Sequence, residues 1–248
     1  MKILAVDAAG KALSVAVAED GRIVASAALN VGLTHSQRLL PLLQSLLAAA
    51  DLSLAEIDML AVVNGPGSFT GLRIGMSTAK GLAWALQKPL LPVSTLEAAA
   101  YNALGVGRPN LLACPVLDAR RNEVYTALFA AGPGLVPQPL WPPQAISPAA
   151  LADKLLAAAE TAGKQVVLAG DAAELIFAEM QAKLGERVLL APPERRCFNA
   201  CACALLAGER AEQAKPAAEV EAFYLRASEA ERNRLAKLSK EAEAGGLV

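Results

Sequence analysis

The amino-acid sequence predicts an α/β fold with two lobes, in which helices flank mixed sheets. Three short apolar runs between residues 2 and 29, separated by turn residues, are typical of an antiparallel meander. A strand, a glycine-rich loop and a long helix follow at 59–87, and strands then alternate with helices up to residue 184. Such alternation is the pattern of a sheet covered by helices. Two glycines and a proline at 105–109 predict the boundary between the lobes.

The individual elements follow from hydrophobic periodicity and from capping and turn residues. Asp20 and Gly21 have the composition of a hairpin turn between the second and third strands. The predicted strands are 2–7, 12–19, 23–29, 59–63, 90–93, 111–117, 124–130 and 165–169. The predicted helices are 34–50, 70–87, 94–104, 147–162, 171–184 and 198–206, the last of which is expected to return to the first lobe.

The segment after the meander predicts a bent helix from Thr34 to about Ala50. Thr34 and Gln37 have the spacing of a capping box, in which each side chain bonds the backbone of the other residue. Leucines occupy one broad face of this helix, and Pro41 in its interior removes a hydrogen bond and should bend the axis. His35 has no second histidine four residues on, so we expect a packed or hydrogen-bonded side chain rather than a metal ligand.

The glycine-rich loop at 65–75 leaves two interpretations open. It joins a buried strand to a helix that Ser68 or Thr70 can cap, and such a junction presents free N–H groups to a phosphate. The third glycine, Gly71, comes one residue too late for a dinucleotide fingerprint, and no lysine stands where a P-loop needs one. A tight structural turn explains the glycines equally well.

The helix predicted at 70–87 is apolar over well over half of its circumference. Its long polar side chains share one narrow stripe, so it has more apolar surface than a single buried face needs. Gly71, Gly75 and Ala79 recur every four residues and would let a second backbone approach closely. The helix is therefore either buried on two sides within one domain or lends a face to a partner subunit. The stripe consists of Arg73, Ser77, Lys80, Trp84 and Gln87.

The second lobe has fewer distinctive signals. Charged residues at 118–122 are either a functional cluster or the solvated tip of a hairpin. The proline-rich stretch 133–148 predicts irregular structure or an edge strand. Asp171 is the expected cap of the helix predicted at 171–184. A last short element is predicted at 220–225, and 227–248 is expected to be a flexible charged tail.

Composition narrows the classes of function. A net charge of −1 and a pI near 6.0 do not fit a chain that holds nucleic acid unaided. Asp7 interrupts the first apolar run too early for a signal peptide, so we expect a soluble cytoplasmic protein. Cys197, Cys201 and Cys203 fall at helical spacing among alanines and predict core residues rather than a zinc site.

Five motifs together give a specific resemblance that covers about residues 1–226. The sequence resembles the TsaB (YeaZ) family of tRNA threonylcarbamoyladenosine biosynthesis proteins, which is related to the TsaD/Kae1 family. That family has the actin-like, sugar-kinase-like ATPase (ASKHA) fold. The motifs that carry the resemblance are ILAVD at 3–7, HSQRLLP at 35–41, GPGSFTGLRIG at 65–75 with AKGL at 79–82, LDARRNEVY at 117–125 and YLR at 224–226.

The resemblance implies a non-catalytic subunit with two lobes. The first lobe would comprise 1–105 and about 197–226, and the second 106–196. The subunit would bind the catalytic homologue TsaD, act with the ATPase TsaE, and self-associate when TsaD is absent, contacting tRNA only through the complex. No cofactor of its own is implied, because the partner proteins use the ATP and a metal. The implied interface residues are His35, Leu39, Leu42, Leu43, Leu46, Gly71, Leu72, Arg73, Gly75, Met76, Ala79, Leu82 and Ala83.

The sequence departs from the motifs of its catalytic homologues at two places. Ala8 and Ala9 follow Asp7 where a phosphate-binding loop would offer hydroxyl groups, so this loop looks degenerate. Of the histidine pair that holds the metal in TsaD, only His35 remains. An independent metal-dependent ATPase or transferase using Asp7 is the alternative function. A peptidase with Ser68 as nucleophile is a third hypothesis, and it lacks a nucleophile elbow.

Overall fold

Two five-stranded mixed sheets with helices on their faces form the protein. The computed structural model describes residues 1–32, 34–105, 110–133, 136–196 and 200–226. The strand order is β3-β2-β1-β4-β5 in the first sheet and β10-β9-β6-β7-β8 in the second. The predicted α/β class with mixed sheets is therefore confirmed. Residues 106–109 lie outside the described residues, so the division of the lobes at 105–106 stays a prediction.

The first sheet begins with the predicted meander. Strands β1, β2 and β3 are antiparallel, and β4 and β5 then run parallel to β1. Left-handed backbone at Asp20 and Gly21, with φ of 48° and 77°, forms the hairpin turn between β2 and β3. The strands are β1 (Lys2–Asp7), β2 (Leu13–Glu19), β3 (Arg22–Leu29), β4 (Met59–Gly65) and β5 (Leu90–Ser94).

Both faces of the first sheet are covered, because alternate residues of β1 point to opposite sides. Leu4 and Val6 pack beneath α1 (His35–Ala49) and α2 (Phe69–Leu86). Ile3 and Ala5 pack against α7 (Ala200–Gly208), so this last helix does return to the first sheet. Within α7, Cys203 is fully buried and Cys201 half-buried, as expected of core residues. Cys197 lies outside the described residues.

The second sheet is also sandwiched between helices. Leu112 and Cys114 face α4 and α5, whereas Leu111 and Ala113 face α3, which lies between the two sheets. The prolines of the 133–148 stretch fall in or beside β8, an edge strand, where a missing N–H is tolerated. The remaining elements are α3 (Thr95–Leu104), β6 (Leu111–Asp118), β7 (Val124–Ala131), β8 (Pro137–Ile146), α4 (Pro148–Ala162), β9 (Gln165–Ala169), α5 (Ala173–Leu184), β10 (Val188–Leu190) and α6 (Pro193–Arg196).

Three local predictions were wrong. Thr34 precedes α1 but makes no side-chain capping bond, and only its carbonyl oxygen accepts from Gln37 N. Helix α5 begins at Ala173, because the Asp171 carboxylate bonds another loop instead of capping the helix. Residues 220–225 form an extended segment with no helix or strand. In the described parts of the chain, no helix is both long and apolar enough to cross a bilayer.

Candidate functional site

The glycine-rich loop connects β4 to α2 and packs closely against the turn after β1. Ser68 caps α2, since its Oγ accepts a hydrogen bond from Gly71 N at 3.3 Å. Ser68 N donates to the carbonyl oxygen of Ala9 at 2.8 Å, so this loop N–H is already used within the protein. A Cβ on Gly67 would stand 2.6 Å from the same Ala9 oxygen, and one on Gly71 would overlap Ala8 O. The glycines therefore permit contact with the chain's own backbone.

This contact decides between the two interpretations of the loop. Ala8 and Ala9 are buried and carry no hydroxyl, and their backbone fills the space beside Gly67 and Gly71. A phosphate cradle needs open N–H groups at that place. The residues present do not fit a phosphate there, and the structural-turn interpretation accounts for the geometry. Among the described residues, no cluster of three His, Cys, Asp or Glu side chains could hold a metal ion.

Asp7 lies at the end of β1, directly beneath this turn. Its side chain is fully buried, and its Oδ1 accepts from Ala9 N at 2.9 Å. No residue that the structure describes forms a hydrogen bond with its Oδ2. Burial raises the pKa of Asp7 to about 7, although the Ala9 hydrogen bond opposes the shift. A carboxyl group that is enclosed in this way has no open path to a substrate in the cleft.

A cleft of about 770 Å³ separates the glycine-rich loop from the second sheet. Its first-sheet wall is the turn at 9–11 and the loop at 66–70, and its second-sheet wall is the β6–β7 turn at 117–121. Asp171 stabilises the second wall, because its Oδ1 accepts a hydrogen bond from Asp118 N at 3.0 Å. Burial raises the pKa of Asp171 as well. The charged turn thus lines the cleft, and its residues Asp118, Arg120 and Arg121 are also exposed to solvent.

A segment at 215–226, which we call the strap and which contains a 3-10 turn at Ala217–Glu219, closes one side of the cleft. Phe223 N donates to Asn64 O at 2.7 Å, and Lys80 Nζ donates to Val220 O at 2.9 Å. At its end, Arg226 forms an ion pair with Glu123 beside the β6–β7 turn. The strap therefore runs from the first sheet to the second. Its partners are far apart in sequence, so periodicity could not reveal it.

Aromatic side chains gather where the strap passes the start of α2. The Phe69 and Tyr224 rings lie 5.0 Å apart between centroids at an angle of 41°, a tilted arrangement that is favourable for aromatic pairs. The guanidinium carbon of Arg73 stands 3.9 Å from the centre of the Phe69 ring. Both rings line the cleft.

Nine of the thirteen expected interface residues are buried in the protein's own core. Those nine are therefore not available on the surface of this structure. The apolar face of β1 and β4 is shielded from water by the residues of α1 and α2 that point toward the sheet. We call these residues the inner rows of α1 and α2. Gly75 illustrates this, since a Cβ there would meet Ala8 Cβ at 3.3 Å and not a partner. The nine buried residues are Leu39, Leu43, Leu46, Gly71, Leu72, Gly75, Met76, Ala79 and Ala83.

The other four expected interface residues remain accessible. Arg73 is exposed, and Leu42 and Leu82 are half-buried. His35 is half-buried too, with Nε2 lying 3.1 Å from Gly10 O, which confirms the expectation of a hydrogen-bonded side chain. The expected interface residues do not include the most exposed apolar side chains of these two helices. Their signal was available, because Trp84 belongs to the polar stripe of α2.

Two apolar side chains stand out on the outer surface of α1 and α2. Trp84 is 82% exposed and Leu40 is 47% exposed. We call the outward surface formed by Leu40 on α1 and by Arg73, Ser77 and Trp84 on α2 the α1–α2 face.

The architecture defines the class of protein. Paired mixed sheets with a cleft between them place the chain in the actin-like, sugar-kinase-like ATPase fold. A ROK hexokinase from Thermus thermophilus superposes with a TM-score of 0.52 over 86% of this chain and 100% of the hexokinase, at 12% identity. That likeness concerns the fold alone.

Other matches are more similar to this chain in sequence. Residues 30–133 match the family model of TsaD, tRNA N6-adenosine threonylcarbamoyltransferase. The structure of YeaZ from Pseudomonas aeruginosa superposes with a TM-score of 0.72 at 29% identity, over 90% of this chain and 99% of YeaZ. The protein named "tRNA threonylcarbamoyladenosine biosynthesis protein TsaB" is 39% identical over 139 residues in Bacillus subtilis (strain 168) and 44% identical over 130 residues in Escherichia coli (strain K12). The chain is thus similar to proteins of the TsaB/YeaZ family over part of its length and to a YeaZ structure over most of it.

The matched regions are partial. They cover 56% and 52% of this chain, and they span only 59% and 55% of the Bacillus and Escherichia proteins. The activity and the partners of those relatives therefore serve as support for a proposal about this chain.

Proposed function

We propose that this protein is a non-catalytic subunit required to form threonylcarbamoyladenosine (t6A) at adenosine 37 of tRNAs that read codons beginning with A. It acts in the cytoplasm as scaffold and activator of the TsaD threonylcarbamoyltransferase, together with TsaE. The names of the two relatives and the match to the TsaD family model support this assignment.

The observation that carries the non-catalytic role is the filled space beside the glycine-rich loop. Ala8 O and Ala9 O occupy the positions next to Gly71 and Gly67, and Ser68 N is bonded to Ala9 O. An ATPase of this fold needs open N–H groups there to hold phosphate. The subunit accordingly performs no ATP chemistry at this loop, and the partner proteins use the ATP and the metal.

The α1–α2 face is the surface we assign to TsaD. Tryptophan and arginine are the residues most often responsible for binding energy at protein interfaces, and Trp84 and Arg73 both lie on this face. In the absence of TsaD, the same face joins two copies of the chain as a homodimer. The tRNA is contacted only within the complex, since a net charge of −1 offers little attraction for RNA.

The test is a drop-out reconstitution of tRNA modification with TsaD, TsaE, a threonylcarbamoyl-adenylate synthetase and ATP. Modification should require this chain, and Trp84→Ser should weaken TsaD binding by about 30-fold or more, the usual loss at a hot spot. Leu175→Ser is the matched control, because Leu175 is 79% exposed on α5 of the second sheet, away from the α1–α2 face.

Each part of the proposal has its own contrary result. Full modification without this chain would remove its role in the pathway. Mg-ATP hydrolysis by the chain alone would favour the alternative of an independent ATPase. Equal losses with Trp84→Ser and Leu175→Ser would show that the α1–α2 face is not the site of TsaD binding.

A further inference from the structure

The strap is attached to the first sheet mainly through its backbone. Lys215 and Leu90 each donate an N–H to the carbonyl oxygen of the other residue, at 3.0 and 2.8 Å. Phe223 N donates to Asn64 O at 2.7 Å. These bonds use groups that almost every residue carries, so they fix the path of the strap and depend little on its side chains.

The first sheet also gives the strap a close approach and one apolar socket. Of the strap residues, all of which the structure describes, only Val220 is buried, in the core that α2 shares. A Cβ on Gly65 would overlap Phe223 O, so the first glycine of the glycine-rich loop makes room for the strap. A segment with one buried side chain and exposed hydrogen bonds opens at a lower free energy than the sheet beneath it.

Lys80 is the side chain of α2 that holds the strap in place. Its Nζ donates to Val220 O at 2.9 Å and to Ala218 O at 3.4 Å. No acidic residue occurs between residues 59 and 96, so α2 itself supplies no carboxylate for this ammonium. A hydrogen bond between two charged groups is stronger than one to a neutral carbonyl. A carboxylate from outside the chain would therefore compete with the strap for Lys80.

The strap connects α2 to the wall of the cleft. Arg73 stacks on the Phe69 ring, and Phe69 packs against Tyr224 of the strap. Two residues further on, Arg226 pairs with Glu123 beside the β6–β7 turn of the second sheet. One helix thus carries both the α1–α2 face and the contacts that hold the strap. A change on the outer side of α2 can reach the second sheet through the strap.

We propose that the strap is a latch, and that a protein partner with carboxylates facing α2 opens it by taking Lys80 from the strap. Charge complementarity points to an acidic surface, because Arg73 and Lys80 are the charged residues of α2. The closed strap and the partner compete for Lys80, so any change that opens the strap strengthens partner binding. This inference rests on the proposed function only for the identity of the partner, TsaD.

The latch is tested on the isolated full chain by hydrogen–deuterium exchange and mass spectrometry. Peptides of the strap should exchange faster than peptides of β1. Lys80→Met should speed exchange of the strap by about 10-fold, the effect of losing one charge-assisted hydrogen bond, and leave β1 unchanged. Lys164→Met is the matched control, because Lys164 is also half-buried and precedes β9 of the second sheet. Equal exchange of strap and β1, or equal effects of the two variants, overturns the latch.

The coupling is tested by calorimetric titration with TsaD. Val220→Ala loosens the strap without changing a side chain of α1 or α2, so TsaD should bind about 3- to 10-fold more tightly. Val188→Ala is the control and should leave the affinity unchanged, because Val188 is buried in β10 of the second sheet. Unchanged or weaker binding by Val220→Ala overturns the coupling. A wild-type chain that does not bind TsaD contradicts the proposed function, and the exchange experiment still decides whether the strap is a latch.

Discussion

Asp7 should make the stability of this protein depend on pH in the neutral range. Its carboxyl is buried, one of its oxygens has no hydrogen-bond partner among the described residues, and burial raises its pKa from 3.8 to about 7. Below pH 3.8 the group is protonated in both folded and unfolded states, so Asp7 carries no penalty there. As the pH rises from 3.8 to about 7 the folded state binds more protons than the unfolded state, and stability falls. Above about pH 7 the penalty is constant.

Asp7→Asn removes this penalty while keeping an acceptor for Ala9 N. The pKa of about 7 lies roughly three pH units above 3.8, which corresponds to about 4 kcal/mol at pH 8. An unpaired Asn N–H costs about 1–2 kcal/mol at every pH. The net expectation is a variant more stable by about 2–3 kcal/mol at pH 8 and with little or no advantage at pH 5.

Urea unfolding followed by far-ultraviolet circular dichroism, at several pH values from about 5 to 8, measures this difference. Asp51→Asn is the control, because Asp51 is exposed and its left-handed backbone suits asparagine. The control should follow the wild-type curve. Parallel curves for wild type and Asp7→Asn, or a variant that is less stable at pH 8, would refute the reasoning.

Three further predictions concern packing and reactivity. In urea unfolding, Gly71→Ala should destabilise the fold by about 2 kcal/mol or more, because the added Cβ would overlap a backbone oxygen. Gly81→Ala, in the same helix, is the control. Its Cβ would meet open space, so it should stabilise the fold by up to about 1 kcal/mol. Glu97→Gln should cost about 1–3 kcal/mol in the same assay, since it weakens a two-pronged, partly buried pair with Arg210. Cys114 is fully buried and its thiol pKa is raised to about 12, so iodoacetamide should label it only after unfolding; rapid labelling of the native protein, detected by mass spectrometry, would contradict that burial.

Local signals were enough to predict most of the elements. The apolar alternation of β1 and β2 appears as strands at the expected positions, and Ser68 caps α2 as its place before the helix indicated. Pro-rich sequence became the edge strand β8, because only an edge tolerates missing N–H groups. These features depend on residues within a few positions of one another.

Capping was predicted less well where a distant group competed for the side chain. Asp171 has the right position to cap α5, yet its carboxylate bonds Asp118 N, 53 residues away. Thr34 has the right spacing to Gln37 and makes no capping bond, whereas Ser53 and Glu56 form a capping box that was not predicted. A single sequence cannot rank a local partner against one that the fold brings near.

The sequence by itself determined the class of fold, the resemblance to the TsaB/YeaZ family, and the residues from which a site could be built. Only the tertiary structure decided how those residues are used. The glycine-rich loop contacts Ala8 and Ala9 rather than a phosphate, and the inner rows of α1 and α2 cover the first sheet rather than a partner. The cleft, the strap and the exposure of Trp84 exist only once the two sheets are assembled. The physical reason is that burial depends on which surfaces meet. The pattern of hydrophobic residues on a helix does not specify which element or partner will pack against them.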